Sequence, residues 1–169
     1  VRAFLTAPDT FGIWLANDPA LTYLDGTRMP DARAAQSRLF FPVVRTGGGN
    51  ATVLELVNPL LLPANLTLTV YGPAGAVKSS QAAILGGRGR LELNAAARFP
   101  GIADNDSIEV TAERGIVGLE LFGDGDTVAC LEAMEGDPTG AVLYAPHVAT
   151  GNFGVTYQSV LTLVNTSET

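Results

Sequence analysis

Apolar and polar residues alternate along most of this chain in short runs. The stretches "TVLELVN" (52–58), "NLTLTVYG" (65–72), "GRLELNA" (89–95), "SIEVTAE" (107–113), "GLELFG" (118–123) and "AVLYAPHV" (141–148) all carry a period of two. They are rich in β-branched and aromatic residues, as half-buried strands are. Turn chemistry separates them in "TGGGN" (46–50), "GPAG" (72–75), "GGRG" (86–89), "ADND" (103–106) and "GDGD" (123–126). Helix signals are few. Pro30 and Asp31 are placed to start a short helix in "PDARAAQSRL" (30–39), and "LNAAARF" (93–99) has room for one turn. The pattern predicts an all-β fold, an antiparallel Ig-like β-sandwich.

The alternation also repeats at long range. In "LFFPVVRTGGG" (39–49) and "LYAPHVATGNFGV" (143–155), the residues Leu39, Phe40, Pro42, Val44, Thr46 and Gly47 correspond to Leu143, Tyr144, Pro146, Val148, Thr150 and Gly151, each pair 104 apart. "VLELVNP" (53–59) matches "VLTLVNT" (160–166) at a spacing of 107, and "TFGIWL" (10–15) matches "IVGLEL" (116–121) with Gly12 opposite Gly118. The expected organisation is therefore the closing part of one repeat over 1–38, a whole repeat of about 104 residues over 39–142, and the opening strands of a third, or an intersubunit connecting strand, over 143–169. Periods of this length mark strings of separate beads rather than thin solenoids. The broken phase leads us to expect either a piece of a longer array or ends completed by neighbouring subunits.

The run "FFPVV…LELVNPLLLPANLTLTVYGPAGAV…LELNAAARFPG…SIEVTAERGIVGLELFG" resembles a family of bacterial β-sandwich repeat modules of uncharacterised function. Their general form is an aromatic-Pro opening, an L-V-N-P strand end, a Y-G-P-x-G hairpin and a G-x-E-L-F-G closing strand. The resemblance implies tandem modules in secreted or surface-anchored proteins, an extracellular location, and no catalytic residues. This chain departs from the pattern at 60–62, where the family has a polar turn.

Composition narrows the partners. The chain has 169 residues, 47% hydrophobic and 16% charged, which is ample for a packed core and unlike a disordered chain. A net charge of −7 with a single lysine, Lys78, argues against nucleic acid and anionic membrane surfaces. No run approaches the roughly 20 apolar residues of a membrane-spanning helix, so membrane insertion is not expected. The one cysteine, Cys130, lies in the apolar run "TVACLEAM" and reads as a small buried hydrophobe.

The departure at 60–62 is the first candidate site. Leu60, Leu61 and Leu62 cannot all face one core from a turn, because successive side chains diverge. They read either as a plug under a loop or as an exposed knob for a neighbour. The second candidate is "VTYQSVLTLVNTSET" (155–169), whose Val155, Tyr157, Val160, Leu161 and Leu163 give it the pattern of a strand able to add to another sheet.

Other chemistry is sparse. His147 is the sole histidine and stands where the other copy has Val43, with no local partner for a catalytic arrangement. One His and one Cys leave almost no zinc ligand set. The glycines of "TGGGN" are not followed by the Lys of a phosphate loop. Asp104, Asp106, Asp124 and Asp126 put carboxylates on tight turns, weak calcium candidates that serve equally as solvated turn residues. Asn50, Asn65, Asn105 and Asn165 open Asn-x-Ser/Thr sequons, glycan acceptors only in a secretory setting. No cofactor and no enzymatic activity are expected. The sequence-based expectation is a structural module of an extracellular bacterial assembly, joining copies of itself or neighbouring repeats by strand addition and apolar packing, in the manner of a fibre subunit. The alternative is a carbohydrate-binding or adhesive module using Trp14, Tyr23, Phe153 and Tyr157. A hydrolase with converging carboxylates ranks last.

Overall fold

A computed structural model describes residues 13–17, 24–28, 32–124, 128–135, 150–152, 156–158, 162 and 165. Antiparallel strands dominate it. Strands β1 (Ile13–Asn17) and β2 (Leu24–Arg28) form a hairpin, and β11 (Thr150–Asn152) pairs with β12 (Thr156–Gln158). Between them lie β3 (Gln36–Phe41), β4 (Ala51–Val57), β5 (Ala64–Tyr71), β6 (Val77–Leu85), β7 (Arg90–Asn94), β8 (Ser107–Gly123), β9 (Val128–Glu132) and β10 (Met134–Glu135). These eight make one curled sheet.

Strand β8 organises that sheet. Its 17 residues pair with β3 and β5 through the first half and with β4 and β9 through the second. The alternation predicts two strands here, "SIEVTAE" and "GLELFG"; the chain instead runs on as one. At the junction the backbone of Gly115 lies so close to Ala35 that a Cβ would stand 2.8 Å from its carbonyl oxygen. Glycine lets the bend form without ending the strand. Beyond it β8 leaves β3 and β5 for its second pair of neighbours, and β6 and β7 extend the two halves outward.

The alternation fixes what faces the core. Thr52, Leu54 and Leu56 of β4, and Ala64, Leu66, Leu68 and Val70 of β5, are buried while their neighbours are not. The apolar ones meet Leu39 and Phe41 of β3 with Ile108, Val110 and Ile116 of β8 in a single cluster. Each fully buried side chain of this size contributes about 1.5–3 kcal/mol, so the shared core holds the two halves of the curl together. The all-β antiparallel class expected from the sequence holds, in the form of one curled sheet.

Two helical expectations meet different fates. Residues 95–98 form one α-helical turn, α1 (Ala95–Arg98), capped by the Asn94 side chain, which accepts from the Ala97 N–H at 3.0 Å. The stretch 30–39 keeps only a 3-10 turn over Ala32–Ala34 and then becomes β3. That turn buries no residue, whereas Leu39 and Phe41 gain core positions as strand residues. Burial overrides a weak local propensity.

Candidate functional site

The loop between β4 and β5 sets three leucines on the surface. Leu60, Leu61 and Leu62 are all exposed, Leu61 by 70%. What holds them there is polar and buried. Asn58, fully buried at the end of β4, donates through Nδ2 to the carbonyls of Leu62 at 2.8 Å and Leu85 at 3.3 Å. Its Oδ1 accepts from the Leu60 N–H at 2.9 Å, and its own N–H donates to Gly89. The Arg88 N–H donates to Leu60 at 2.6 Å. Gly87 lies so close beneath the loop that a Cβ would stand 1.8 Å from the Leu61 carbonyl oxygen. The β4–β5 and β6–β7 loops are thus zipped together, and the leucines ride outside the zipper.

Beside this knob runs the edge of the sheet. Among the described residues β6 pairs only with β5. The Ala82 carbonyl accepts from Arg98 Nη2 at 3.1 Å, so it points away from β5. In an antiparallel ladder alternate residues share that direction, which turns the backbone groups of Ser80, Ala82 and Ile84 outward. Ile84 is 72% exposed. It lies opposite Asn65, beside the Leu62 and Leu85 carbonyls that share the Asn58 amide. Knob and edge therefore form one surface. Its middle is covered by Arg98, whose backbone carbonyl also accepts from Gln81 Nε2 at 2.9 Å.

The opposite end of the core holds a polar anomaly. Ile116, Gly118 and Glu120 share the core face of β8. Glu120 is 0% exposed, and neither carboxylate oxygen has a hydrogen-bond partner. Burial pushes its pKa up to about 8, and the Val43 backbone amide, outside hydrogen-bond geometry, offsets only part of this. Val43 also lines a cleft of about 410 Å³ with Pro42, Arg45, Phe122, Leu131 and Met134. A neighbouring cleft of about 300 Å³ is lined by Arg45, Asn50, Asp104, Phe122 and Val128.

The acidic turns have structural partners. Asp104 Oδ1 accepts from the Thr46 N–H at 2.6 Å, the Gly47 N–H at 3.0 Å and Thr46 Oγ1 at 3.2 Å. These bonds, led by that from Thr46, hold its pKa below the ordinary value. Asp106 Oδ2 accepts from Lys78 Nζ at 2.6 Å and from the Ala103 N–H at 2.8 Å. Asp124 follows the end of β8, and Asp126 lies outside the described residues. Among the described residues no three His, Cys, Asp or Glu side chains cluster as metal ligands would. Of the sequon residues, Asn50 donates to Gly47, Asn65 donates to Glu113, and Asn105 and Asn165 are exposed.

Cys130 is buried, and burial followed by the Asp25 charge pushes its pKa up to about 11. Tyr157 falls in β12 and Trp14 in β1, while Tyr23, His147, Phe153, Val155, Val160, Leu161 and Leu163 lie outside the described residues. Sequence reasoning missed Asn58, Glu120 and the Arg98 cover. In "GLELFG" the strand turns Glu120 inward, while Leu119 and Leu121 lie half-buried on its other face.

No family model and no curated protein matches the chain. Among solved structures it is similar to that titled "Crystal Structure of Thermotoga maritima 1070", at 13% identity over 60% of this chain and 96% of that one, with a TM-score of 0.53. It is also similar to the Anabaena sensory rhodopsin transducer, at 13% identity over 51% of this chain and 87% of that one, with a TM-score of 0.41. The likeness to the Thermotoga structure is one of fold.

Proposed function

We propose that this protein is a non-catalytic structural module of an extracellular bacterial assembly. It joins neighbours through the Leu60–Leu62 knob and strand addition along β6. One observation carries the reading: three adjacent exposed leucines are held in place by a fully buried asparagine, next to a sheet edge with outward backbone groups. A flexible loop would hide such leucines by collapse. Holding them outward keeps apolar area available for burial against another surface. An added strand would supply partners for the groups of Ser80, Ala82 and Ile84.

The test is light scattering over a concentration series for the wild type and for the Leu61→Ser/Leu62→Ser double variant. The wild type is expected to self-associate and the variant to remain monomeric with an unchanged melting temperature. A wild type that stays monomeric across the series, or a variant that associates equally well, would remove the knob from any joining role.

A second reading rests on the smaller cleft, where Phe122 stands with Arg45, Asn50 and Asp104. An aromatic face beside polar groups suits a saccharide. Binding on a glycan array that is lost in Phe122→Ala would favour this reading over assembly.

A further inference from the structure

The β1–β2 hairpin repeats the hairpin formed by the end of β8 and β9. Gly12 and Gly118 correspond, and "LAND" (15–18) stands to "LFGD" (121–124) at the same spacing of 106. Ala16 lies opposite Asp25 in the first hairpin and Phe122 opposite Ala129 in the second, so the register makes Asp25 and Ala129 equivalent. Both are antiparallel and follow the same shared glycine. They differ in the connection, which is two residues longer in the first.

These related hairpins pack against each other in one particular way. Strand β2 runs along β9, the second strand of one against the second strand of the other. The Cys130 N–H, on the side of β9 away from β8, donates to Asp25 Oδ2 at 2.5 Å. A side-chain carboxylate thus takes the place that a further strand would occupy on this edge. Register places Val53, Leu121 and Cys130 side by side across β4, β8 and β9. Cys130 is buried although it lies on the strand next to the sheet's margin.

We propose that the β9 edge is the joint at which consecutive repeats meet. Its partner is the closing hairpin of a neighbouring repeat, latched by a carboxylate at the Asp25 position onto the Cys130 amide. The proposal rests on the repeat-module reading, but not on the leucine knob. The latch runs one way, since Ala129, the residue equivalent to Asp25, carries no carboxylate to return. A carboxylate on an edge N–H is a charge-assisted bond, and it stops the edge from recruiting an arbitrary strand.

The full-length chain carries its own reporter, the Cys130 thiol. Its labelling by a small aromatic disulfide at pH 8 should be slow in the wild type. In Asp25→Ala it should be at least roughly tenfold faster, the factor given by about 1.4 kcal/mol of lost latching, together with faster amide exchange confined to 128–132. Asp25→Asn keeps an acceptor oxygen and loses the charge, so its rate should fall between the wild type and Asp25→Ala; equal acceleration in both would mean that charge alone governs the thiol and overturns the latch. A chimera with residues 13–28 replaced by 119–132, carrying Ala129→Asp and Cys130→Ala in the inserted copy so that one thiol remains, should label as slowly as the wild type if the hairpins are equivalent. Fast labelling of that chimera, unchanged labelling of Asp25→Ala, or exchange spreading through β4 and β5 would each overturn the proposal. All readouts lie within one chain, so they are independent of self-association, which tests the knob.

Discussion

Two buried side chains with polar ends show how differently this core treats them. Asn58 is fully buried and makes use of both ends of its amide, donating to two carbonyls and accepting one N–H. Glu120 is buried as completely and satisfies neither oxygen. A neutral amide with partners is well tolerated in a low-dielectric interior; an unpartnered carboxylate is tolerated mainly as its protonated form. The consequence is a dependence on pH whose sign follows from the shift. Unfolded, Glu120 ionises near 4.5; folded, near 8. The native state holds the proton that the unfolded state releases. The associated stability is complete below about 4.5 and lost as pH rises through 8, by a few kcal/mol. Asp104, whose pKa is lowered from 3.8, acts oppositely, its contribution present above that value and lost as pH falls. Stability should therefore peak near pH 4–5. Urea midpoints at pH 5 and 8.5 should differ clearly in the wild type and converge in Glu120→Gln. Parallel pH profiles for the two would show that Glu120 is not the group responsible.

At the scale of elements, β6 is a long edge strand guarded at one point. Natural sheets cover or charge such edges because free backbone groups recruit other strands. Here the guard is Arg98, delivered by α1 onto the Ala82 carbonyl. Arg98→Ala should raise self-association measured by sedimentation velocity if strand addition occurs at β6. Adding Ala82→Pro, which removes an outward donor and leaves the β5 ladder its own, should reverse the gain. If Arg98→Ala leaves the sedimentation profile unchanged, β6 is not the joining edge. Much of this was legible in the sequence: β4, β5 and β7 fall where a period of two put them, and the turns 72–75, 86–89 and 103–106 lie between strands. Two things were hidden for a physical reason. Alternation marks which residues share a face but not which face is inward, so the pattern of "GLELFG" leaves the side of Glu120 open. A bend inside a strand requires knowledge of what approaches it, so β8 was read as two strands. The Leu60–Leu62 departure was visible because three adjacent apolar residues satisfy no single face. Its support by Asn58 depends on Leu85 and Gly89, some 30 positions away, and no local pattern reports that.

For the whole molecule, net charge and apolar surface oppose each other. Each copy carries −7, so two copies approaching through the knob meet like-charge repulsion that is strongest when ions are scarce. The proposed contact itself consists mainly of leucines and backbone edge groups, with Arg88 bonded beside Leu60 and Arg98 over Ala82. Salt therefore acts on the repulsion far more than on the attraction. At about 10 mM salt the screening length is near 30 Å, and at about 100 mM near 10 Å. Repulsion between whole molecules falls away over this range while burial of the leucines is preserved. Apparent mass at fixed protein concentration and pH 7 should rise from low to moderate salt, and Leu61→Ser/Leu62→Ser should abolish the rise. An association that weakens on adding salt would mean that ion pairs hold the copies together. The search for the joining surface would then move to the charged cross-strand cluster of Glu55, Arg90 and Glu92 on β4 and β7.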